Sequence, residues 1–286
     1  MEWRKIGGPK CELFELDSDF QTPGKQPMAS NFSEKKSVSE TAIRLEHVVK
    51  SFGGRCILRD VNLTISAGSL TFLVGRSGAG KSVLSRCSVG LIRADSGRIF
   101  LFDDEVTRLS ETGLIRLRSR VPYVVQESAL VDWLTVKENV ATALMRSTGK
   151  RLDEKSAMKA ADEALRDVGI ADAADALPRA LSSGDRKLAA IARAVALHPR
   201  AIFYDEPTTG LDMAAARRVD DMIRRHAENG VTSVVVSHDL ESIRRIADEV
   251  ALLEEGVIAF SGTSEAFFAA EKTHPEVHRF FHQAEK

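Results

Sequence analysis

Gly75-Arg76-Ser77-Gly78-Ala79-Gly80-Lys81-Ser82 reads G-x-x-x-x-G-K-S. Leu70-Thr71-Phe72-Leu73-Val74 before it is a short apolar run of the kind that forms a buried strand. Ser82-Val83-Leu84-Ser85-Arg86 after it opens a helix. The glycines let the backbone wrap a phosphate chain with its N–H groups turned inward, and the helix N-terminus adds partial positive charge. Lys81 then reaches the terminal phosphates, and the Ser82 hydroxyl can ligate Mg²⁺. With strand and helix both in place, the loop is expected to bind a nucleoside triphosphate.

Outward from that loop, the chain has two characters. Residues 1–40 are polar and broken by Pro and Gly, as in Gln21-Thr22-Pro23-Gly24, which predicts a mobile N-terminal arm. Translation starting at Met28 is one further reading of that arm. Regular structure is expected from Ile43 to Val48, which alternates like a strand, with a hairpin turn at Gly53-Gly54 and a second strand over Val61–Ile65. Early antiparallel strands followed by strand, loop and helix predict a β-subdomain fused to an α/β core. Helices are expected from about Val136 to Ala176, where Val140, Ala143 and Leu144 share one face and Ala161, Ala164, Leu165 and Val168 another. Ala201–Tyr204 and Thr232–Val236 are apolar runs suited to a parallel sheet, and Glu254-Glu255-Gly256 marks a closing hairpin. Val277, Phe280 and Phe281 form an apolar stripe late in the chain, which packs on its own domain or clasps a second copy.

Composition narrows the function classes. Lys and Arg total 40 against 41 Asp and Glu in 286 residues, so no net charge points to nucleic acid or an acidic membrane surface. Cys11, Cys56 and Cys87 are odd in number and widely spaced, which fits reduced thiols rather than a disulfide framework. No run approaches the ~18 apolar residues of a membrane span, and Arg4 and Lys5 have no apolar core behind them. A membrane process would therefore need its membrane part from another chain.

Three more features converge on the phosphate loop. Asp205-Glu206 follow directly on the Ala201–Tyr204 strand, and strand ends aim side chains into the crevice where ligands gather. Asp205 would hold Mg²⁺ through water and Glu206 would activate the attacking water. Ser182 and Gly184 open a helix with Leu188, Ile191 and Val195 on one stripe, a second anion-binding end. His238 follows the Thr232–Val236 strand and lies at the same crevice.

In order along the chain, Gly75–Ser82, Gln126, Leu181–Asp185, Asp205-Glu206, Thr209-Gly210-Leu211-Asp212 and His238 resemble the motifs of the ATP-binding cassette ATPases. The resemblance implies a P-loop NTPase (RecA-like) α/β core with an antiparallel β-subdomain and an inserted helical subdomain. That places a cassette domain over residues 41–270, its helical subdomain over about 128–185, and a tail at 271–286. It further implies ATP and Mg²⁺ as cofactors, with Ser82, Gln126 and Asp205 at the metal. Glu206, His238 and Gln126 are cast as catalytic, and Phe52 as the ring that stacks on adenine. Two cassettes would form a head-to-tail homodimer in which Ser182 and Gly184 meet the other copy's nucleotide and Asp212 couples the two sites. The signature departs from the family at Ser183, where glycine is usual, and at Asp185, where glutamine is usual. Asp185 brings negative charge toward phosphates unless Arg186 or Lys187 offsets it, so slower or more tightly gated hydrolysis is expected.

Gly80–Leu84, Val89–Gly97, Gln126–Leu130, Leu134–Val140 and Pro275–Phe281 are similar to the ATPase subunit of Mla-type, Mce-associated phospholipid transporters. That resemblance implies an integral-membrane permease, an Mce-type lipid-binding protein as further partner, and residence on the inner face of the cell membrane. The permease would rest a cytoplasmic helix in a groove beside Gln126 and Ser128–Trp133. Thr208–Asp212 instead has the general importer form, which keeps an amino-acid or other solute importer as the alternative, beside a regulatory cassette with weak hydrolysis. A soluble cassette acting on nucleic acid would need tandem cassettes or a coiled-coil insertion, and neither is present.

Overall fold

The computed structural model describes residues 41–147 and 152–283. The expectations for residues 1–40, including Cys11 and the Met28 start, lie outside the described residues. β1 (Thr41–Phe52) turns at Gly53-Gly54 and pairs antiparallel with β2 (Arg55–Ser66). β3 (Leu70–Val74) runs through the phosphate loop into α1 (Lys81–Ser88). β4 (Ser96–Leu101) returns to pair with β1, and β5 (Asp104–Glu105) completes a four-stranded antiparallel sheet in the order β2-β1-β4-β5. α2 (Glu111–Arg120), capped by the Ser110 hydroxyl, leads to β6 (Tyr123–Val124).

The helical part holds α3 (Val136–Arg146), started by a capping box between Thr135 and Glu138, and α4 (Glu154–Asp167), capped by Asp153. α5 (Ser183–Val195) then leads back to β7 (Ala201–Asp205). α6 (Met213–Glu228), β8 (Thr232–Val236), α7 (Leu240–Ile246), β9 (Glu249–Glu254) and β10 (Val257–Thr263) follow in turn. α8 (Ser264–Ala269) and α9 (Pro275–Gln283) end the described chain.

The second sheet has six strands in the order β10-β9-β3-β8-β7-β6, parallel except at the β9–β10 hairpin. Strand residues alternate between faces, and here each face has its own apolar core. Phe72, Ile202, Tyr204, Val235, Val250 and Leu252 enter the core shared with α3 to α7 and the C-terminal helices. Leu73, Phe203, Val234, Val236, Ala251 and Leu253 enter the core shared with α1, α2 and the antiparallel sheet. Burial on both faces explains why these strands read as unbroken apolar runs rather than alternating ones.

Val277, Phe280 and Phe281 of α9 are buried in the first core, with the Phe280 and Phe281 rings 5.9 and 5.4 Å from Phe267. The C-terminal stripe is thus occupied by its own domain, and each ring there contributes about 1.5–3 kcal/mol by burial. Because β3, β6, β7 and β8 run parallel, their C-terminal ends share one edge. The phosphate loop, Gln126, Glu206 and His238 all follow those ends.

Candidate nucleotide site

The loop after β3 turns at Gly75 with φ of 149°, where an added Cβ would sit 2.2 Å from the Leu253 carbonyl oxygen. Any side chain there would force the loop off the sheet edge. Ala79 closes the turn by donating its N–H to the Arg76 carbonyl at 3.1 Å. Lys81 arches back over the loop and donates to the carbonyls of Gly75 at 2.8 Å and Arg76 at 3.1 Å. Burial pulls its pKa below the usual lysine value, and the charges of Glu206 and Asp205 oppose that shift.

The Ser82 hydroxyl donates to Asp205 Oδ1 at 2.8 Å. Asp205 is 2% exposed, and its other oxygen accepts from the Tyr123 hydroxyl at 2.8 Å and from Arg86 at 3.3 Å. Burial, then the Asp205 charge, raise the Tyr123 pKa above the ordinary phenol value. Hydroxyl facing carboxylate is the oxygen donor set of a hard divalent cation, and Ser82 and Asp205 fit Mg²⁺. Among the described residues no cluster of three His, Cys, Asp or Glu could hold a metal, so phosphate oxygens and water would complete its shell.

Glu206 stands next, with φ of 48°, a left-handed conformation that costs a non-glycine residue about 1–3 kcal/mol and is concentrated at functional sites. Its N–H donates to the Val236 carbonyl at 2.9 Å. Thr209 Oγ1 donates to Oε2 at 2.9 Å, and His238 Nδ1 lies 3.2 Å from Oε1. Gln126 faces the same cleft from the end of β6. Its backbone is gripped by α5: buried Lys187 donates to the Gln126 carbonyl at 2.5 Å, and Arg193 to the Ala129 carbonyl at 2.8 Å. Burial lowers the pKa of both cations.

The cleft, about 1010 Å³, collects Phe52, Gly75, Arg76, Ser77, Gly78, Gly80, Lys81, Ser82, Gln126, Glu206 and His238 in one wall. Phe52 is 48% exposed there, with Lys50 Nζ 5.1 Å above its ring. Asp95 fixes that corner by accepting from Lys50 at 2.6 Å and from the Ser51 N–H at 2.7 Å. Ser182, Gly184 and Asp212 do not line this cleft. Ser182 caps α5 and Asp212 caps α6, accepting from the Ala215 N–H at 2.8 Å. Neither Arg186 nor Lys187 offsets Asp185. Arg186 donates to the Leu181 carbonyl at 2.8 Å and Lys187 points inward, while Arg218 of α6 reaches Asp185 Oδ1 at 3.0 Å. Tyr123, Arg86 and Lys187 thus support the site, and Arg218 the start of α5, in roles the sequence does not signal, because each meets its partner across a distance in the chain.

Fold and site together define a P-loop cassette whose cleft has the shape and donors of a nucleoside-triphosphate site. A family model described as "ABC transporter" matches residues 58–209, more than half of the chain. The chain belongs to the ABC transporter family. It is 38% identical over 234 residues to the methionine import ATP-binding protein MetN of Rhizobium johnstonii, covering 82% of this chain and 64% of that protein. It is 32% identical to the arginine transport ATP-binding protein ArtM of Bacillus subtilis, covering 81% and 95%. A solved dimer of the ATP-binding cassette MJ0796 bound to ADP and Pi matches with a TM-score of 0.72 at 28% identity, covering 78% of this chain and 98% of that one. The chain therefore spans under two thirds of the methionine-import relative's length. The expected kinship with Mla-type phospholipid transporters, and with it an Mce-type partner, is not supported by these matches: the two curated relatives are named for methionine import and arginine transport.

Proposed function

We propose that the chain is the ATP-hydrolysing subunit of an amino-acid importer, working as a head-to-tail homodimer on a separate membrane permease. The observation that carries the reading is the division of the site. The cleft gathers the phosphate loop, Gln126, Glu206 and His238, while Ser182 and Gly184 stay outside it at the start of α5. A second copy facing the cleft would supply that helix start to the terminal phosphate.

In this reading Lys81 and the loop N–H groups hold the phosphates. Bound Mg²⁺ would neutralise charge developing on the terminal phosphate. Glu206 accepts a proton from the attacking water at whichever Oε the water approaches, with Thr209 and His238 fixing its carboxylate. Phe52 stacks on the adenine. No described helix is long and apolar enough to cross a membrane, so the permease brings the membrane part and holds the chain at the inner face. Half-buried Leu130 and Trp133, which is 81% exposed, offer an apolar seat for it beside Gln126.

The methionine, arginine and cystine import relatives favour amino acids as cargo. Deleting the chain in its own cell and following uptake of labelled methionine, arginine and cystine tests this. Loss of one uptake activity, restored by the intact chain and not by Glu206→Gln, is expected. Unchanged amino-acid uptake with altered membrane phospholipid would overturn the cargo assignment.

A further inference from the structure

Asp185 puts a carboxylate at the start of α5, where the proposed dimer requires an anion to bind. Its two oxygens have distinct partners. Oδ2 accepts from the Ser182 hydroxyl at 2.7 Å, and that hydroxyl in turn accepts from the Asp185 N–H at 3.1 Å. Oδ1 accepts from Arg218 at 3.0 Å. The Arg218 guanidinium also lies against the signature backbone, since a Cβ on Gly184 would meet it at 3.3 Å and Ala215 Cβ at 2.8 Å. The neighbouring cations are committed elsewhere, Arg186 to Leu181 and Lys187 to Gln126. Arg218 is therefore the counter-charge of this carboxylate. Half-exposed ion pairs of this kind add little to stability, so the consequence is local: the charge a phosphate meets, and the direction in which the Ser182 hydroxyl points.

We propose that Arg218 is a positioning residue for ATP turnover, acting through Asp185. Its guanidinium neutralises the carboxylate and holds it to the α6 side, which lets Ser182 turn its hydroxyl from Asp185 to the phosphate presented by the second copy. This rests on the shared-site reading above. It explains how a signature carrying an acid in place of an amide keeps an anion site.

The test compares the full chain with Arg218→Ala, Asp185→Asn and the double variant. ATP-driven dimerisation is followed by sedimentation and steady-state turnover at low and high salt. Arg218→Ala should weaken both by about tenfold at low salt, the scale of one uncompensated unit charge close to a phosphate. The deficit should shrink as salt screens it. Asp185→Asn in the same chain should restore dimerisation and turnover to within about twofold of Asp185→Asn alone, a rescue that a merely structural arginine would not show. Arg218→Ala indistinguishable from the unaltered chain, or a deficit that Asp185→Asn does not relieve, overturns the proposal. An unaltered chain that neither dimerises with ATP nor hydrolyses it would overturn the shared-site reading itself, and this inference with it.

Discussion

Tyr123→Phe isolates one hydroxyl at the metal-binding corner. The ring stays, stacked 6.4 Å from Phe203, so packing is preserved and only the bond to Asp205 is removed. That bond joins a half-buried donor to a buried carboxylate at 2.8 Å, a charge-assisted contact of the kind that contributes about 1.5–3 kcal/mol. Arg86 remains 3.3 Å from the same oxygen and recovers part of it, which leaves a loss of about 1–2 kcal/mol. At about 2–4 °C per kcal/mol for a domain of this size, the melting temperature of the nucleotide-free protein should fall by about 2–8 °C. Asp205 also loses the partner that fixes its rotamer toward Ser82. Outer partners of metal ligands typically set affinity by tenfold or more, so half-saturation of turnover by Mg²⁺ should rise about tenfold. The assays are thermal unfolding and a Mg²⁺ titration of ATP hydrolysis at saturating ATP. A melting temperature within about 1 °C of the original, together with an unchanged Mg²⁺ midpoint, would refute the role assigned to the hydroxyl.

Lys187→Met keeps the side chain's length but frees the Gln126 and Val125 carbonyls. Orphaned acceptors cost up to about 1–3 kcal/mol, less here because both are only partly buried, and turnover should fall more than ATP binding because Gln126 loses its anchor; calorimetry and a comparison of kcat with KM check both. Burial pushes the Cys87 thiol up to about 11, whereas Cys56 is exposed. The fold therefore keeps Cys87 a thiol over the interval where an unfolded cysteine ionises, and iodoacetamide at pH 8 should label Cys56 and spare Cys87 until denaturant is added, as read by peptide mass.

What the sequence revealed followed range of interaction. The phosphate loop, the Asp205-Glu206 strand end and the helix started by Ser182 are legible because strand, turn and helix follow within a few residues of one another. β6 was not, since two residues carry no periodicity, and its importance comes from pairing with β7. Its neighbour Tyr123 is ordinary in sequence and becomes part of the site only because that pairing sets its hydroxyl on Asp205. The same applies to Arg218. Asp185 was recognisable as a misplaced charge, but Arg186 and Lys187 were the near candidates to balance it. Helix geometry turns Lys187 inward and Arg186 back on Leu181, and the balance comes from 33 residues away.

The expected phospholipid cargo is backed less than the amino-acid alternative, for a different physical reason. Among the segments that resembled phospholipid transporters, Gly80–Val83 and Gln126 line the nucleotide cleft. Their geometry answers to phosphate oxygens, a metal and an attacking water, which are common to the whole family whatever it moves. A segment shaped by that chemistry carries little information about cargo. In the proposed assembly, information of that kind lies on surface that would meet the permease, and the exposed ring of Trp133 with Leu130 is the patch proposed for it. Exchanging Leu130–Trp133 should therefore alter which permease the chain serves while leaving nucleotide binding intact, because these side chains stand outside the cleft wall formed by Phe52, the phosphate loop and Glu206.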